Sequence, residues 1–167
     1  ISANVSWTGL EASDGKEAYD LTAAAATGKS AGTLTGTGYN DTFIATSGTY
    51  TYNGSGGWAT DASGHRTWSN TGGMDIVDFR NATSAVRIDL ANTGNQATGF
   101  NTAKLVNIEG LAGSKHNDIL GDSAGNNILE GRGGNDTLNL ADGGHDTLVY
   151  RLLNAADSTG GNGLDTV

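Results

Sequence analysis

The sequence predicts an all-β fold, in which a compact β-rich module over residues 1–110 continues into a parallel β-roll over residues 111–167. Two observations lead to this prediction. Nine-residue units that combine a glycine-rich turn with a short apolar strand follow one another in the last third of the chain. Earlier segments alternate apolar and polar residues with the period of two that is typical of strands.

The first 35 residues contain no repeat, but Val5–Trp7 and Ala18–Leu21 alternate as short strands do. Ala23–Ala26 has the composition of a helix start, which the following glycine ends. Gly28-Lys-Ser-Ala-Gly32 matches the G-x-S-x-G motif of a catalytic serine turn. That motif needs a buried strand before it and a helix after it, and the flanking sequence offers neither. We therefore interpret it as a chance match.

Two isolated nine-residue units follow, Gly36–Ile44 and Asn70–Asp78. Each begins with a turn that contains glycine, the residue that accepts a positive φ without a Cβ penalty. The sixth positions are Asp41 and Asp75, and Phe43 in the first unit is predicted to point inward. The two units are expected to anchor the ends of the segment between them.

An insertion rich in aromatic residues, residues 45–69, separates the two units. Tyrosine and tryptophan are common in recognition surfaces and also stack on sugar rings, so this composition fits a peptide site as well as a glycan site. Alternatively, the rings form the small core of a long hairpin, and the two interpretations are compatible. The candidate ligand contacts are Tyr50, Tyr52, Trp58, Asp61, His65, Arg66 and Trp68.

Residues 76–110 are predicted to return to strands. Ser84–Leu90 alternates strictly, with its apolar side chains at even positions. Residues 91–101 are rich in asparagine and glycine and are predicted to form a loop. Leu105–Leu111 then leads directly into the repeats.

Four nine-residue units lie between Gly113 and Val149, the last displaced by one residue. The first six positions of a unit must turn, and the last three form a short strand whose middle side chain points inward. The predicted inward residues are Leu120, Leu129, Leu138 and Leu148. A glycine-rich linker is the alternative interpretation, but four units nearly in register favour the repeat structure.

Successive strands of a β-roll lie on opposite sides, so repeats two apart stack. The spacing of 18 residues therefore brings Asp118 and Asp136 together, and Asn127 and Asp146 form the corresponding pair opposite. Two neighbouring carboxylates repel unless a cation lies between them, and turn carbonyls with carboxylates give the oxygen ligands that suit Ca²⁺. The candidate calcium ligands are Asp41, Asp75, Gly113, Asp118, Asn127, Gly131, Gly133, Asp136, Gly144, Asp146 and Asp165.

Composition and the absence of certain motifs argue against several classes of function. The net charge of −9 argues against nucleic acid or an anionic membrane as the main partner, and no apolar run is long enough to span a bilayer. The chain has no cysteine, so calcium would take the place of disulfides in a secreted protein. There is no H-E-x-x-H zinc motif. The sequence thus offers little for catalysis, and we predict that the chain is not an enzyme.

The units between Gly113 and Val149 resemble the nonapeptide repeats of the RTX family, whose members leave bacteria by type I secretion. Residues 72–119 resemble the units that precede RTX repeats in large bacterial adhesins. Residues 146–167 look like the start of the C-terminal target region of that export pathway, whose signal would lie beyond Val167. The resemblance is good over residues 70–167 and weak before them.

This resemblance implies a monomeric, ligand-binding segment of a much larger, secreted cell-surface adhesin that acts in cell adhesion and biofilm formation. The expected ligand is a peptide or protein, bound in a calcium-dependent way, and a carbohydrate is the second expectation. In a different class of function, the chain is only a calcium-driven folding and secretion segment without a ligand. The least favoured interpretation is that the chain is the tail of a secreted hydrolase.

Overall fold

A computed structural model of the chain describes residues 19–22, 30–36, 40–54, 57–60, 66–69, 73–150 and 164–167. Within these ranges the chain forms strands and no helix, which confirms the all-β prediction. Accordingly, no helix in the described part is long and apolar enough to cross a membrane. The predicted strand at Val5–Trp7 and the alanine run at 23–26 lie outside the described residues.

The strands in chain order are β1 (Tyr19–Thr22), β2 (Ala31–Thr35), β3 (Asp41–Ile44), β4 (Thr49–Asn53), β5 (Gly57–Thr60), β6 (Arg66–Ser69), β7 (Ile76–Asp78), β8 (Arg87–Asp89), β9 (Gln96–Ala97), β10 (Thr102–Val106), β11 (Gly110–Ala112), β12 (Ile119–Gly121), β13 (Ile128–Glu130), β14 (Thr137–Asn139) and β15 (Thr147–Leu148). Strand β2 follows directly on Ser30. A catalytic serine turn requires a helix at that place, so the chance-match interpretation of the G-x-S-x-G motif agrees with the structure.

The largest sheet has six strands in the order β1-β3-β7-β11-β13-β15. All its neighbouring strands are parallel. This sheet runs without interruption across residue 110, because β11 pairs with β7 on one side and with β13 on the other. The isolated units around Asp41 and Asp75 therefore stack in the same sheet as the later repeats.

Smaller sheets complete the described structure. One has the order β2-β4-β10-β9, with β9 antiparallel to β10, and another has the parallel order β14-β12-β8. Strand β9 lies within the predicted 91–101 loop, so the prediction of an irregular loop is wrong at these two residues. The hairpin β5–β6 forms a separate antiparallel pair within the insertion.

Successive repeats alternate between two sheets. Strands β11 and β13 belong to the six-stranded sheet, whereas β12 and β14 belong to the three-stranded sheet. Leu120 is consequently in register with Leu138, and Leu129 with Leu148. The predicted stacking of repeats two apart is therefore observed.

The core consists of the side chains at the middle of each short strand. Leu120, Leu129 and Leu138 are at most 1% exposed, and Phe43 is fully buried, as predicted. Leu148 is only half-buried, because β15 is the last strand of its sheet. The alternation predicted around β8 also holds: Val86, Ile88 and Leu90 are buried, and the residues between them are exposed.

Candidate metal centre

Four acidic side chains and one asparagine form a ladder along one edge of the six-stranded sheet. Its members are the residues at or just before the starts of five neighbouring strands, and we call them the first ladder: Asp41, Asp75, Glu109, Asn127 and Asp146. The backbone N–H of Asp41 donates to Asp75 Oδ1 at 2.7 Å. The N–H of Asp75 donates to Glu109 Oε2 at 3.0 Å, and that of Asn127 donates to Asp146 Oδ1 at 2.9 Å.

A second ladder lies along the three-stranded sheet and consists of Asp118, Asp136 and Asp165. The N–H of Val86 donates to Asp118 Oδ1 at 2.7 Å, and the N–H of Asp118 donates to Asp136 Oδ1 at 2.8 Å. The N–H of Asp136 donates in turn to Asp165 Oδ1 at 3.0 Å. The 18-residue spacing thus brings Asp118 and Asp136 together, as the sequence predicted.

Each ladder leaves one buried carboxylate oxygen without a hydrogen bond. Asp75 is 0% exposed and Asp136 is 1% exposed. Asp75 Oδ2 and Asp136 Oδ2 have no hydrogen-bond partner among the described residues. A buried carboxylate oxygen without a hydrogen-bond partner lowers the free energy of unfolding by about 1–3 kcal/mol or more. A proton or a cation at either position would remove this cost.

The electrostatics of the ladders favour the same conclusion. The pKa of Asp75 is raised to about 8, chiefly by burial and to a smaller extent by the neighbouring charges of Asp41 and Glu109. Burial also raises the pKa of Asp136 to about 6, with a contribution from Asp118 and Asp165. Burial likewise raises the pKa values of Asp118 and Glu109. Like charges have therefore been brought together in places where water does not solvate them.

Glycines at the ends of the preceding strands bring main-chain oxygens close to these carboxylates. A Cβ on Gly113 would lie 2.5 Å from Asp118 Oδ2 and 2.6 Å from the carbonyl oxygen of Gly131. A Cβ on Gly131 would lie 2.3 Å from Asp136 Oδ2. Any larger residue would push these oxygens apart, so the glycines are needed for the close approach of backbone and carboxylate.

The donor set fits a hard cation such as Ca²⁺, which takes six to eight oxygen ligands from carboxylates and carbonyls. The described residues contain no group of three or more His, Cys, Asp or Glu side chains that could hold a metal. Main-chain carbonyls of the turns would therefore have to complete the coordination, as the sequence analysis expects. At Asp75 the unpartnered Oδ2 and the carbonyl oxygen of Asn107, which a Cβ on Gly54 would each meet at 2.1 Å, are two oxygen ligands of the kind that Ca²⁺ takes.

The other predicted calcium ligands lie in the same stacked turns. The N–H of Gly133 donates to the carbonyl of Ser114 at 3.2 Å. Gly144 has a φ of +93°, and a Cβ there would lie 2.1 Å from the carbonyl oxygen of Gly125. Both glycines thus connect turns of repeats that are two apart.

Sequence reasoning missed Glu109, which occupies the place of a repeat aspartate without a glycine-rich turn before it. A signal for it was present, because Asp41, Asp75 and Glu109 follow one another at 34-residue intervals. The two hydrogen bonds that join these three residues span this interval, which differs from the 18 residues between Asp118 and Asp136.

The predicted ligand contacts Tyr50 and Tyr52 lie in the core, which corrects their assignment to a binding surface. They are 5% and 0% exposed, because β4 lies between β2 and β10 and turns both rings inward. The Tyr52 ring packs edge-on against Phe43, with ring centroids 5.9 Å apart. Asn101 Nδ2 donates to the Tyr52 hydroxyl at 3.1 Å. Both tyrosines therefore belong to the main core of the protein, and not to the small hairpin core that was the alternative interpretation.

The remaining predicted ligand contacts lie in or beside the hairpin. Its backbone register places Trp58 opposite Trp68, and Arg66 opposite Thr60. Asp61 and His65 lie outside the described residues. The hairpin lies in the segment between Gly54, which follows β4, and Asp75, which precedes β7.

Two adjoining grooves lie beside the three-stranded sheet. One groove of about 600 Å³ and a second of about 350 Å³ adjoin there and share Asp89, Gly121 and Asn139 in their linings. Asn92 and Asn95 of the loop before β9 line the smaller groove. This surface is a second place where a polar ligand has room to bind.

No protein-family model and no curated protein matches this chain.

Proposed function

We propose that the chain is a calcium-dependent ligand-binding module of a secreted bacterial cell-surface adhesin. The observation that carries the calcium dependence is the pair of ladders, each with a buried carboxylate oxygen that has no hydrogen-bond partner among the described residues. Calcium at these positions would replace the missing hydrogen bonds and would neutralise the stacked carboxylates. The candidate ligands are the predicted calcium residues of the repeats together with their turn carbonyls.

The adhesive role rests on the resemblance of residues 70–167 to segments of RTX adhesins. Export through type I secretion, action at the cell surface in adhesion and biofilm formation, and membership of a much larger chain belong to the same proposal. Calcium-driven folding suits such a route, because the chain would stay unfolded where calcium is scarce and fold outside the cell. The proposed role of this chain is ligand binding, without catalysis.

The proposed ligand is a peptide or protein that contacts the hairpin β5–β6. The hairpin leaves the scaffold after Gly54 and returns before Asp75, and a loop held at both ends by a rigid scaffold is a usual place for binding residues. Its register sets the two tryptophans opposite each other. A carbohydrate is the alternative ligand, since tryptophan also stacks on sugar rings.

A double variant, Trp58→Ala with Trp68→Ala, is expected to weaken ligand binding at least about tenfold, because aromatic anchors commonly carry 2 kcal/mol or more of binding energy. Peptide and glycan arrays, probed with and without calcium, identify the ligand and measure the loss. The matched control is Tyr150→Ala, which removes an aromatic ring that is 50% exposed. Both variants must first show wild-type folding in calcium.

Full binding by the double variant would contradict the hairpin site and move the ligand to the groove beside Asn92 and Asn95. A wild-type chain that binds calcium but no array component would favour the alternative function, a ligand-free folding and secretion segment. Binding confined to glycans would replace the peptide proposal with a carbohydrate-binding module.

A further inference from the structure

Exposed asparagines form a row beside the two ladders, one residue earlier in the chain. Each of them directly precedes a ladder residue and occupies the fifth position of its nine-residue unit. We call them the asparagine row: Asn40, Asn117, Asn126 and Asn135. Asn117 Oδ1 accepts the backbone N–H of Asn135 at 2.9 Å, directly beside the bond from the N–H of Asp118 to Asp136 Oδ1. One hydrogen bond of the row thus accompanies one hydrogen bond of the ladder.

The same pairing recurs at three further steps between stacked turns. Asn40 Oδ1 accepts the N–H of Met74 at 2.8 Å, beside the bond that joins Asp41 and Asp75. The two remaining bonds, both at 2.9 Å, run from the N–H of His145 to Asn126 Oδ1 and from the N–H of Leu164 to Asn135 Oδ1. They span 19 and 29 residues, as do the ladder bonds beside them. Every asparagine of the row therefore accepts an N–H from the turn that follows it in the stack.

The row differs from the ladders in charge and in exposure. Its acceptors are neutral amide oxygens on exposed residues, whereas the ladder acceptors are carboxylates in buried or half-buried positions. Stacked carboxylates alone oppose the stacking of turns, because like charges repel unless a cation lies between them. An amide oxygen adds no charge, so it can join two turns without a cation.

We propose that the asparagine row positions the turns for calcium: its amide oxygens hold neighbouring turns in register without contacting the ion, and so place the ladder carboxylates beside one another. The asparagines are positioning residues and not calcium ligands. The bonds have one direction, since the earlier turn supplies the side-chain oxygen and the later turn supplies the N–H. The inference rests on the proposed calcium dependence of the chain and deepens it with residues that bind no ion.

Amide hydrogen exchange, followed by NMR in saturating calcium, tests a single bond of the row. In Asn117→Ala the N–H of Asn135 loses its acceptor, and we expect it to exchange about tenfold faster than in the wild type. Asn117→Asp keeps an oxygen that can accept this N–H, so its exchange should stay slow. The N–H of Thr137, which donates to the carbonyl of Asp118 at 2.9 Å, should exchange at the wild-type rate in both variants.

A triple variant, Asn117→Ala with Asn126→Ala and Asn135→Ala, tests the positioning role. Loss of three hydrogen bonds should lower the folding equilibrium constant about 100-fold at a fixed calcium concentration, at about fivefold for each bond. Urea unfolding measures this constant. Equilibrium dialysis with ⁴⁵Ca²⁺ should still find the wild-type number of bound ions at saturating calcium. The control is Asn139→Ala, which changes an exposed asparagine of β14 outside the row and should alter neither quantity.

Unchanged exchange of the Asn135 N–H in Asn117→Ala would overturn this inference, and so would a triple variant that is as stable as Asn139→Ala. Neither result touches the proposed calcium dependence, which stands if the wild type folds on addition of calcium. A lower ion count in the triple variant would make the asparagines ligands and would contradict the positioning role. A wild-type chain that binds no calcium would overturn both proposals. If the variants do not fold, the wild type decides: fast exchange of the Asn135 and His145 N–H groups in the folded chain would contradict the row.

Discussion

Removal of calcium with EGTA is expected to unfold the wild-type chain, at least over the repeats of residues 111–167. In the ion-free fold, stacked carboxylates with raised pKa values would face one another in buried positions, with Asp75 Oδ2 and Asp136 Oδ2 lacking partners among the described residues. Each ion that binds only the folded state adds about 2.7 kcal/mol when calcium is 100-fold above its Kd. Two such ions, one at each ladder, would add about 5 kcal/mol, which is as large as the whole stability of a marginally stable domain.

Circular dichroism measures this effect directly. In EGTA we expect a spectrum without the strand signal and no cooperative thermal transition, and millimolar calcium should restore both. Magnesium at the same concentration is the control, because Mg²⁺ demands octahedral geometry and keeps several waters, so it should restore little. A spectrum and a melting temperature that are the same in EGTA and in calcium would refute the calcium dependence.

The second large effect is expected from Asp136→Asn. This change keeps the shape of the side chain and an oxygen that accepts the N–H of Asp118, but it removes the charge beside Gly131. Replacement of residues that only support metal ligands costs ten- to hundredfold in metal affinity, so loss of a direct ligand charge should raise the calcium concentration at the folding midpoint at least about tenfold. A calcium titration followed by circular dichroism gives that midpoint.

The matched control for Asp136→Asn is Asp142→Asn, because Asp142 is exposed and its change should cost within about 0.5 kcal/mol. Asp122 is a poorer control, since it is 2% exposed and its Oδ2 accepts the N–H of Asp142 at 3.2 Å. Equal midpoint shifts for Asp136→Asn and Asp142→Asn would show that the sixth repeat position has no special role in calcium binding.

The stacking of the contiguous repeats could be predicted from the sequence because it depends on local spacing alone. A nine-residue unit holds one turn and one strand, so the partner of Asp118 is fixed 18 residues later, at Asp136. The middle leucines follow from the same period. The alternation around β8 was predictable for a similar reason, since a strand with one buried face must alternate.

Other features depend on pairing between strands that are distant in sequence, which no local sequence pattern predicts. Glu109 joins the first ladder because β11 pairs with β7 across an intervening excursion through β8, β9 and β10. Tyr50 and Tyr52 have the composition of a recognition surface, and only the position of β4 between two other strands decides that they are core. Aromatic composition fits both outcomes, so sequence reasoning could not choose between them.

Arg132 is a further residue whose backbone conformation and contacts the repeat pattern does not predict. It stands second in its repeat, with a φ of +74° that normally favours glycine. The structure offsets this conformation with ion pairs, because the Arg132 guanidinium lies 2.7 Å from Asp78 and 3.8 Å from Glu130. The two partners lie at the ends of β7 and β13, the strands on either side of β11, and the local sequence around Arg132 does not indicate this arrangement.

The central claim is that the two ladders hold calcium at their unsatisfied carboxylate oxygens, and anomalous diffraction tests it most directly. Crystals grown in millimolar calcium would be measured at a wavelength where calcium scatters anomalously. The account predicts anomalous peaks at about 2.3–2.6 Å from Asp136 Oδ2 and from Asp75 Oδ2, the usual distance of calcium from its oxygen ligands. The contradicting result is that both oxygens accept hydrogen bonds from water or from protein donors, with no anomalous peak beside either.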